Sequence, residues 1–283
     1  MEYAKEWPFD TSRLTRWNRM EASLLSSTFP NLLSTTVQRR ACAASGLAFL
    51  ACTTLGLLLA NVFATTFYPS PFGPPFGAQT DVLAYFTANR AQVRAMSFVF
   101  ALAALALLVF VAYSVEILAD TPRARRSGLP GLAQGAGMLA AGFWLLTALL
   151  LRALSLPEAT EASGLLRTLH NLVYVTGGPA HVVTLGVFLG ALAAAQWNAT
   201  LLPRWITWIG AAAALLSMVA IFALLWEGAS ILLPLGRGLS LLWIFTVSVA
   251  LLLTRSRAEM GGADQQGEPS TGQPTEKAAF PAS

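Results

Sequence analysis

The chain has 283 residues, of which 55% are hydrophobic and only 11% are charged, and its formal net charge is +4. Soluble domains carry about 25% charged residues, so this composition excludes an ordinary soluble domain and indicates an integral membrane protein. The positive balance does not indicate a nucleic-acid partner, because no run of Lys and Arg alternates with aromatic residues.

Six apolar runs of roughly 20 residues follow one another along the chain, and each is long enough to cross a bilayer as a helix. They lie at about 41–67, 96–118, 131–151, 170–196, 205–226 and 231–254. The sequence therefore predicts an all-α polytopic transmembrane bundle of six helices in a lipid bilayer. Residues 1–40 form either an amphipathic interfacial helix or an irregular segment. Residues 255–283, rich in Gly, Pro, Gln and Glu, are expected to be a disordered tail.

The distribution of basic residues predicts the orientation of the bundle, because cytoplasmic loops of membrane proteins carry an excess of Lys and Arg. With the N-terminus in the cytoplasm, 13 of the 18 basic residues lie on that side. The five that lie outside are Arg90, Arg94, Arg152, Arg167 and Arg237. Both termini are therefore expected in the cytoplasm. The Ala-, Leu- and Arg-rich usage is typical of a bacterial genome, so the expected location is the inner (plasma) membrane.

The fourth apolar run carries most of the unusual polar residues. Steps of three and four residues separate Arg167, His170, Tyr174, Gly177, His181 and Thr184. On a helix this spacing keeps all six on one face. An ionisable residue inside a membrane indicates a functional site, although interhelical hydrogen bonds of an ordinary bundle use the same residue types. His170, Tyr174 and His181 are the candidate ligand-binding residues of this run.

The same run contains a weak point at Thr176-Gly177-Gly178-Pro179. Proline has no backbone N–H and clashes with the carbonyl four residues earlier, so a kink or a short unwound turn is expected here. Carbonyl groups released by such a break can coordinate a ligand or accept hydrogen bonds from neighbouring side chains.

Two further candidates flank the last hairpin. Glu227 ends the fifth run, and Arg237 begins the sixth after a segment that contains Pro234 and two glycines. Arg237 either pairs with Glu227 across the hairpin or binds an anionic ligand. The five arginines on the predicted outer side favour an anionic ligand.

The absence of several sequence motifs reduces the number of possible functions. The chain has no Walker, HExxH or GxSxG motif, and no acidic pair lies in mid-span. Cys42 and Cys52 are ten residues apart on one helix, which excludes a disulfide between them. Both histidines lie on one helix, so a haem bound by two histidines of one chain is not expected. No metal and no other cofactor is predicted.

The segments RTLHNLVYVTGGPAHVVTLG, LLPRWITWIG and PLGRGLSLLW resemble uncharacterised bacterial families of six-span integral membrane proteins, whose domains have no known function. The resemblance covers roughly residues 41–254. It implies a fold and a membrane location, and it transfers no catalytic residue.

Three hypotheses follow. The first is a non-enzymatic protein that binds or passes a small amphipathic or anionic molecule, such as a lipid, in an outward-facing polar pocket between the fourth, fifth and sixth spans. Arg237 would hold the charge, and the three polar residues of the fourth span would donate or accept hydrogen bonds. The second is a structural or assembly subunit, in which the polar stripe is a seam within the bundle or of a homo-oligomer. The third is an intramembrane enzyme with His170 or His181 as general base, for which the sequence names no second catalytic group.

Overall fold

The structure is a computed structural model that describes residues 35–64, 79–118, 126–161, 163–197 and 202–265. The chain divides into two units, Met1–Gln38 and Arg39–Ser283. The helices are α1 (Thr35–Ala64), α2 (Gln79–Ala88), α3 (Arg90–Leu118), α4 (Leu129–Leu154), α5 (Pro157–Glu161), α6 (Ser163–Val175), α7 (His181–Gln196), α8 (Arg204–Val219) and α9 (Leu232–Gln265). The described residues contain no strand, which confirms the all-α prediction.

Six helices of the described part are long and apolar enough to cross a membrane. They cover Val37–Leu59, Arg90–Leu118, Leu129–Leu154, Gly164–Gln196, Arg204–Leu224 and Gly228–Leu253. The prediction of six spans is thereby confirmed, and the chain has the architecture of a multi-pass membrane protein. The second and fourth spans begin about six residues earlier than the apolar runs, because their helices continue through charged first turns. The predicted helix within 1–40 and residues 266–283 of the predicted tail lie outside the described residues.

Small residues let the helices approach closely, as expected where lipid removes the hydrophobic drive between helices. A Cβ atom added at Gly137 of α4 would lie 2.6 Å from Val111 of α3, and one at Gly186 of α7 would lie 2.7 Å from Ser217 Cβ of α8. Helix α4 packs mainly against α3 and α7, and α8 packs between α7 and α9. Helices α4 and α7 are therefore central to the bundle.

The exposed surface is apolar, and tryptophans lie at the ends of the spans. Trp197 and Trp208 contact each other edge to face at the junction of α7 and α8, and the side chain of Trp205 is exposed beside them. Trp226, 70% exposed, lies at the opposite end of the fifth span. Amphipathic tryptophan rings at both ends are typical of the two headgroup levels of a bilayer.

Candidate functional site

The fourth span is interrupted between α6 and α7 by a single π-helical turn, Thr176–Ala180. The turn contains Pro179, and the residues on either side keep α-helical backbone angles: Val175 has φ −65° and ψ −43°, and His181 has φ −66° and ψ −48°. The predicted break is therefore a wide turn within a continuous helix. The turn is not unwound, because the φ of proline is compatible with a helix and only its N–H is missing.

The π turn releases one carbonyl group from its usual partner. In an α-helix the N–H of His181 would donate to the carbonyl of Gly177, four residues earlier. Here it donates to the carbonyls of Thr176 and Gly178. The Gly177 carbonyl accepts a hydrogen bond from Arg237 Nη2 of α9 instead. The turn thus creates a polar contact between the fourth and sixth spans.

Two threonines join the turn to α4. The hydroxyl oxygens of Thr147 and Thr176 lie 3.0 Å apart and share a hydrogen bond. Thr147 also meets Gly177, where an added Cβ atom would lie only 2.8 Å from Thr147 Cγ2. A glycine is therefore needed at this position for the close approach of α4.

Trp144 of α4 lies at the centre of the polar contacts. Its side chain is fully buried, and its ring lies 4.5 Å, centroid to centroid, from the ring of His181 at an interplanar angle of 36°. The guanidinium carbon of Arg237 lies 4.8 Å from the Trp144 ring centroid, which is a cation–π contact. We call Trp144, Gly177, His181 and Arg237 the Arg237 cluster. The structure thus brings together His181 and Arg237, both predicted as site residues, through a tryptophan that was not predicted.

His181 is held by a hydrogen bond to α4. Its Nδ1 atom lies 2.9 Å from the carbonyl oxygen of Ala140, and a carbonyl can only accept a hydrogen bond. Nδ1 therefore carries a proton and donates this bond. The side chain is 1% exposed, so this hydrogen bond also fixes the ring against Trp144.

Two N–H donors of the cluster have no hydrogen-bond partner within the described residues. They are Trp144 Nε1 and Arg237 Nε, and both atoms are buried. The carboxylates whose side chains are described, Glu116 and Glu158, are both exposed. The guanidinium is therefore held by a carbonyl and an aromatic ring.

Two other predicted site residues, His170 and Tyr174, make contacts outside the cluster. His170 of α6 is buried against α2, with its ring 5.9 Å, centroid to centroid, from that of Phe86. Tyr174 shares a hydrogen bond of 2.7 Å with the hydroxyl of Ser230, in a 3-10 turn that covers Glu227–Ile231. Glu227 begins this turn, but its side chain lies outside the described part, so the Glu227–Arg237 pair stays a prediction.

A second, smaller apolar cluster surrounds Tyr174. Its buried members are Tyr174, Val182, Ala220, Ala223, Ala229 and Leu233. They come from the fourth span, from the start of α9 and from two 3-10 turns, Ala220–Leu224 and Glu227–Ile231. The non-α segments of the last three spans therefore meet beside the π turn. No group of three or more His, Cys, Asp or Glu residues that could hold a metal lies among the described residues.

Trp144 and Thr147 are the site residues that sequence reasoning missed. A signal for Trp144 exists, because four of the eight tryptophans lie near span ends, whereas Trp144, like Trp243, lies in the middle of a span. An indole in mid-span has an N–H group that lipid cannot satisfy.

No protein-family model, curated protein or solved structure matches this chain. The resemblance to uncharacterised six-span bacterial families therefore stays a prediction. The geometry of the Arg237 cluster is therefore the basis for the function of this chain that is proposed below.

Proposed function

We propose that this chain is a non-enzymatic membrane protein that binds or passes a small anionic or amphipathic molecule at the Arg237 cluster. The proposed site lies between the third, fourth and sixth spans, which contribute Trp144, Gly177 with His181, and Arg237. We further propose that it opens to the outside of a bacterial inner membrane, as the distribution of basic residues predicts.

One observation carries this proposal: Arg237 is a partly buried cation in a membrane-spanning helix, held by the Gly177 carbonyl and the Trp144 ring. A charge at such a position is unfavourable unless a polar or anionic partner compensates it. The described carboxylates, Glu116 and Glu158, are exposed, and the partner that we propose for Arg237 is an anionic ligand.

The contacts of His181 support binding in preference to catalysis. A general base needs a reacting group or a second catalytic group within hydrogen-bond reach. The contacts described for His181 are the Ala140 carbonyl and the Trp144 ring, and neither transfers a proton. The homo-oligomer form of the assembly alternative has less support, because Gly186 and Gly190 contact α8 of the same chain.

Native mass spectrometry of the detergent-purified protein tests the proposal. We expect a reproducible bound mass on the wild-type protein that is absent from Arg237→Gln. Arg94→Gln is the matched control, because it removes one exposed arginine from another span. A bound mass that persists in Arg237→Gln, or wild-type protein that is always bare, would contradict the proposal.

A further inference from the structure

We infer that the ligand of the Arg237 cluster is a monovalent oxyanion, such as a carboxylate or a phosphodiester, bound by Trp144 Nε1 and Arg237 Nε. This inference rests on the proposed function and names the chemical class of its ligand. It is carried by two buried donors that the described protein leaves without a partner.

The missing partner must be an acceptor. An indole N–H and a guanidinium N–H can only donate hydrogen bonds. Buried polar groups in proteins are almost always hydrogen-bonded, and an unpaired one is unfavourable. The two side chains are in contact, with the guanidinium carbon 4.8 Å from the ring centroid, and the inferred ligand offers one acceptor oxygen to each donor.

A second tryptophan shows how this fold satisfies an indole where no ligand is required. Trp243 of α9 is also buried in mid-span, and its Nε1 donates to the Ile206 carbonyl at 3.0 Å. Trp144 is equally buried, yet its Nε1 has no such acceptor among the described residues. The open donor of Trp144 is therefore not a general property of tryptophans in this bundle.

The charge of the ligand follows from the charge of the cluster. Arg237 is its only permanently charged member, and the burial of His181, which is 1% exposed, disfavours a charge on that ring. A single negative charge balances the guanidinium. A dianion would leave one uncompensated charge in an apolar interior, which is strongly unfavourable.

His181 is a positioning residue in this arrangement. Its ring packs on Trp144 while its Nδ1 is held by Ala140, so it fixes the plane of the indole. The π turn has the corresponding effect on Arg237, because the released Gly177 carbonyl holds Nη2. One donor of each ligand-binding side chain is left free to contact the oxyanion.

The test compares probes that differ only in charge or in their apolar chain. The thermal unfolding midpoint is measured in a neutral detergent with increasing sodium dodecanoate, methyl dodecanoate, sodium acetate or sodium dimethyl phosphate. The variants are Arg237→Gln and Trp144→Phe, which retains an aromatic ring without the N–H group. Trp243→Phe is the matched control, because it removes a buried indole N–H away from the site.

We expect sodium dodecanoate to raise the unfolding midpoint of the wild-type protein and of Trp243→Phe, and methyl dodecanoate to leave it unchanged. The half-saturating concentration should rise about ten-fold or more in Trp144→Phe and Arg237→Gln, as the loss of a charge-assisted hydrogen bond implies. If acetate or dimethyl phosphate acts at the same concentration as dodecanoate, the ligand is a soluble oxyanion. If only dodecanoate acts, the ligand is an amphiphile with an anionic headgroup.

Equal binding of the methyl ester would overturn the inference of an oxyanion and leave the proposed binding of an amphiphile intact. Unchanged dodecanoate binding in a monodisperse Trp144→Phe protein would also overturn it, even if Arg237→Gln does not fold. If no probe binds and the wild-type protein has a bare native mass, both the inference and the proposed function are wrong.

Discussion

Individual polar residues of this bundle are secured by backbone carbonyls of neighbouring helices. His181 Nδ1 donates to Ala140 and Trp243 Nε1 donates to Ile206, over distances of 2.9 and 3.0 Å. A hydrocarbon environment offers no water to replace such bonds, so each polar side chain needs a protein or ligand partner. At the scale of single residues, Trp144 Nε1 and Arg237 Nε are two buried N–H donors that lack such a partner among the described residues.

His181→Phe separates the contribution of the hydrogen bond to Ala140 from that of the ring contact with Trp144. Phenylalanine retains a ring that can pack on Trp144 but cannot donate to Ala140, so we expect a loss of about 0.5–2 kcal/mol in unfolding free energy. His181→Asn is the complementary variant, since its amide can still donate while the ring contact is lost. Reversible unfolding in mixed micelles measures both changes.

If His181→Phe were as stable as the wild-type protein, the hydrogen bond to Ala140 would make no net contribution. The plane of the Trp144 indole would then be fixed by ring packing alone.

At this scale the sequence predicts the ionisable side chains of the site but not the residues that they contact. His181 and Arg237 were predicted as site residues because ionisable groups in apolar runs are rare. The contact between Arg237 and Gly177 joins positions 60 residues apart, and no local pattern encodes it. Trp144 was missed because an aromatic residue in an apolar run resembles any other core residue.

At the scale of elements, the π turn decides which groups can meet. The sequence predicted a weak point at Thr176–Pro179, since proline removes an N–H group from the helix. It did not predict a wide turn, because the choice between a kink, an unwound segment and a π turn depends on packing against α4. The hydrogen bond between Thr147 and Thr176 and the short approach at Gly177 provide that packing.

Gly177→Ala tests the close approach of α4 to the π turn. The added methyl group would lie 2.8 Å from Thr147 Cγ2. The Thr147 side chain is held by its hydrogen bond to Thr176, so we expect the unfolding free energy to fall by about 1–3 kcal/mol. Gly178→Ala is the matched control, because its nearest neighbour is the flexible end of Leu233 at 3.3 Å. Unfolding of the two proteins under identical conditions gives the comparison.

Thr147→Ala should relieve part of the clash, so the double variant with Gly177→Ala should be less destabilised than the sum of the single variants. Equal stability of Gly177→Ala and Gly178→Ala would show that α4 adjusts freely.

At the scale of the whole molecule, the number of spans follows from composition and their orientation is a separate question. Six apolar runs predict six spanning helices because a helix of about 20 apolar residues crosses the hydrocarbon core. The helix ends were less well predicted, since α3 begins at Arg90 and α9 continues to Gln265 through charged residues. Apolarity marks the segment that lies in lipid, whereas backbone hydrogen bonding continues beyond it.

The proposed orientation predicts which positions react with a membrane-impermeant maleimide in intact cells. Cys42 and Cys52 are first replaced by alanine, and a single cysteine is then introduced. Glu158→Cys, at an exposed position of helix α5, should be labelled in intact cells because it lies on the predicted outer side. Ser283→Cys should be labelled only after the membrane is permeabilised. The reverse pattern would place both termini outside and the Arg237 cluster nearer to the cytoplasm.

The wide turn in the fourth span has a consequence for the evolution of related proteins. A π turn is an α-helix with one additional residue, and the helix continues with normal geometry on both sides of it. Deletion of one codon within residues 176–180 other than that of Pro179 would let the span close into a regular α-helix, in which only the carbonyl four residues before the proline lacks an N–H partner. The Gly177 carbonyl would then no longer be released to hold Arg237. Relatives of this chain that differ by one residue here can therefore share its architecture and lack its binding site.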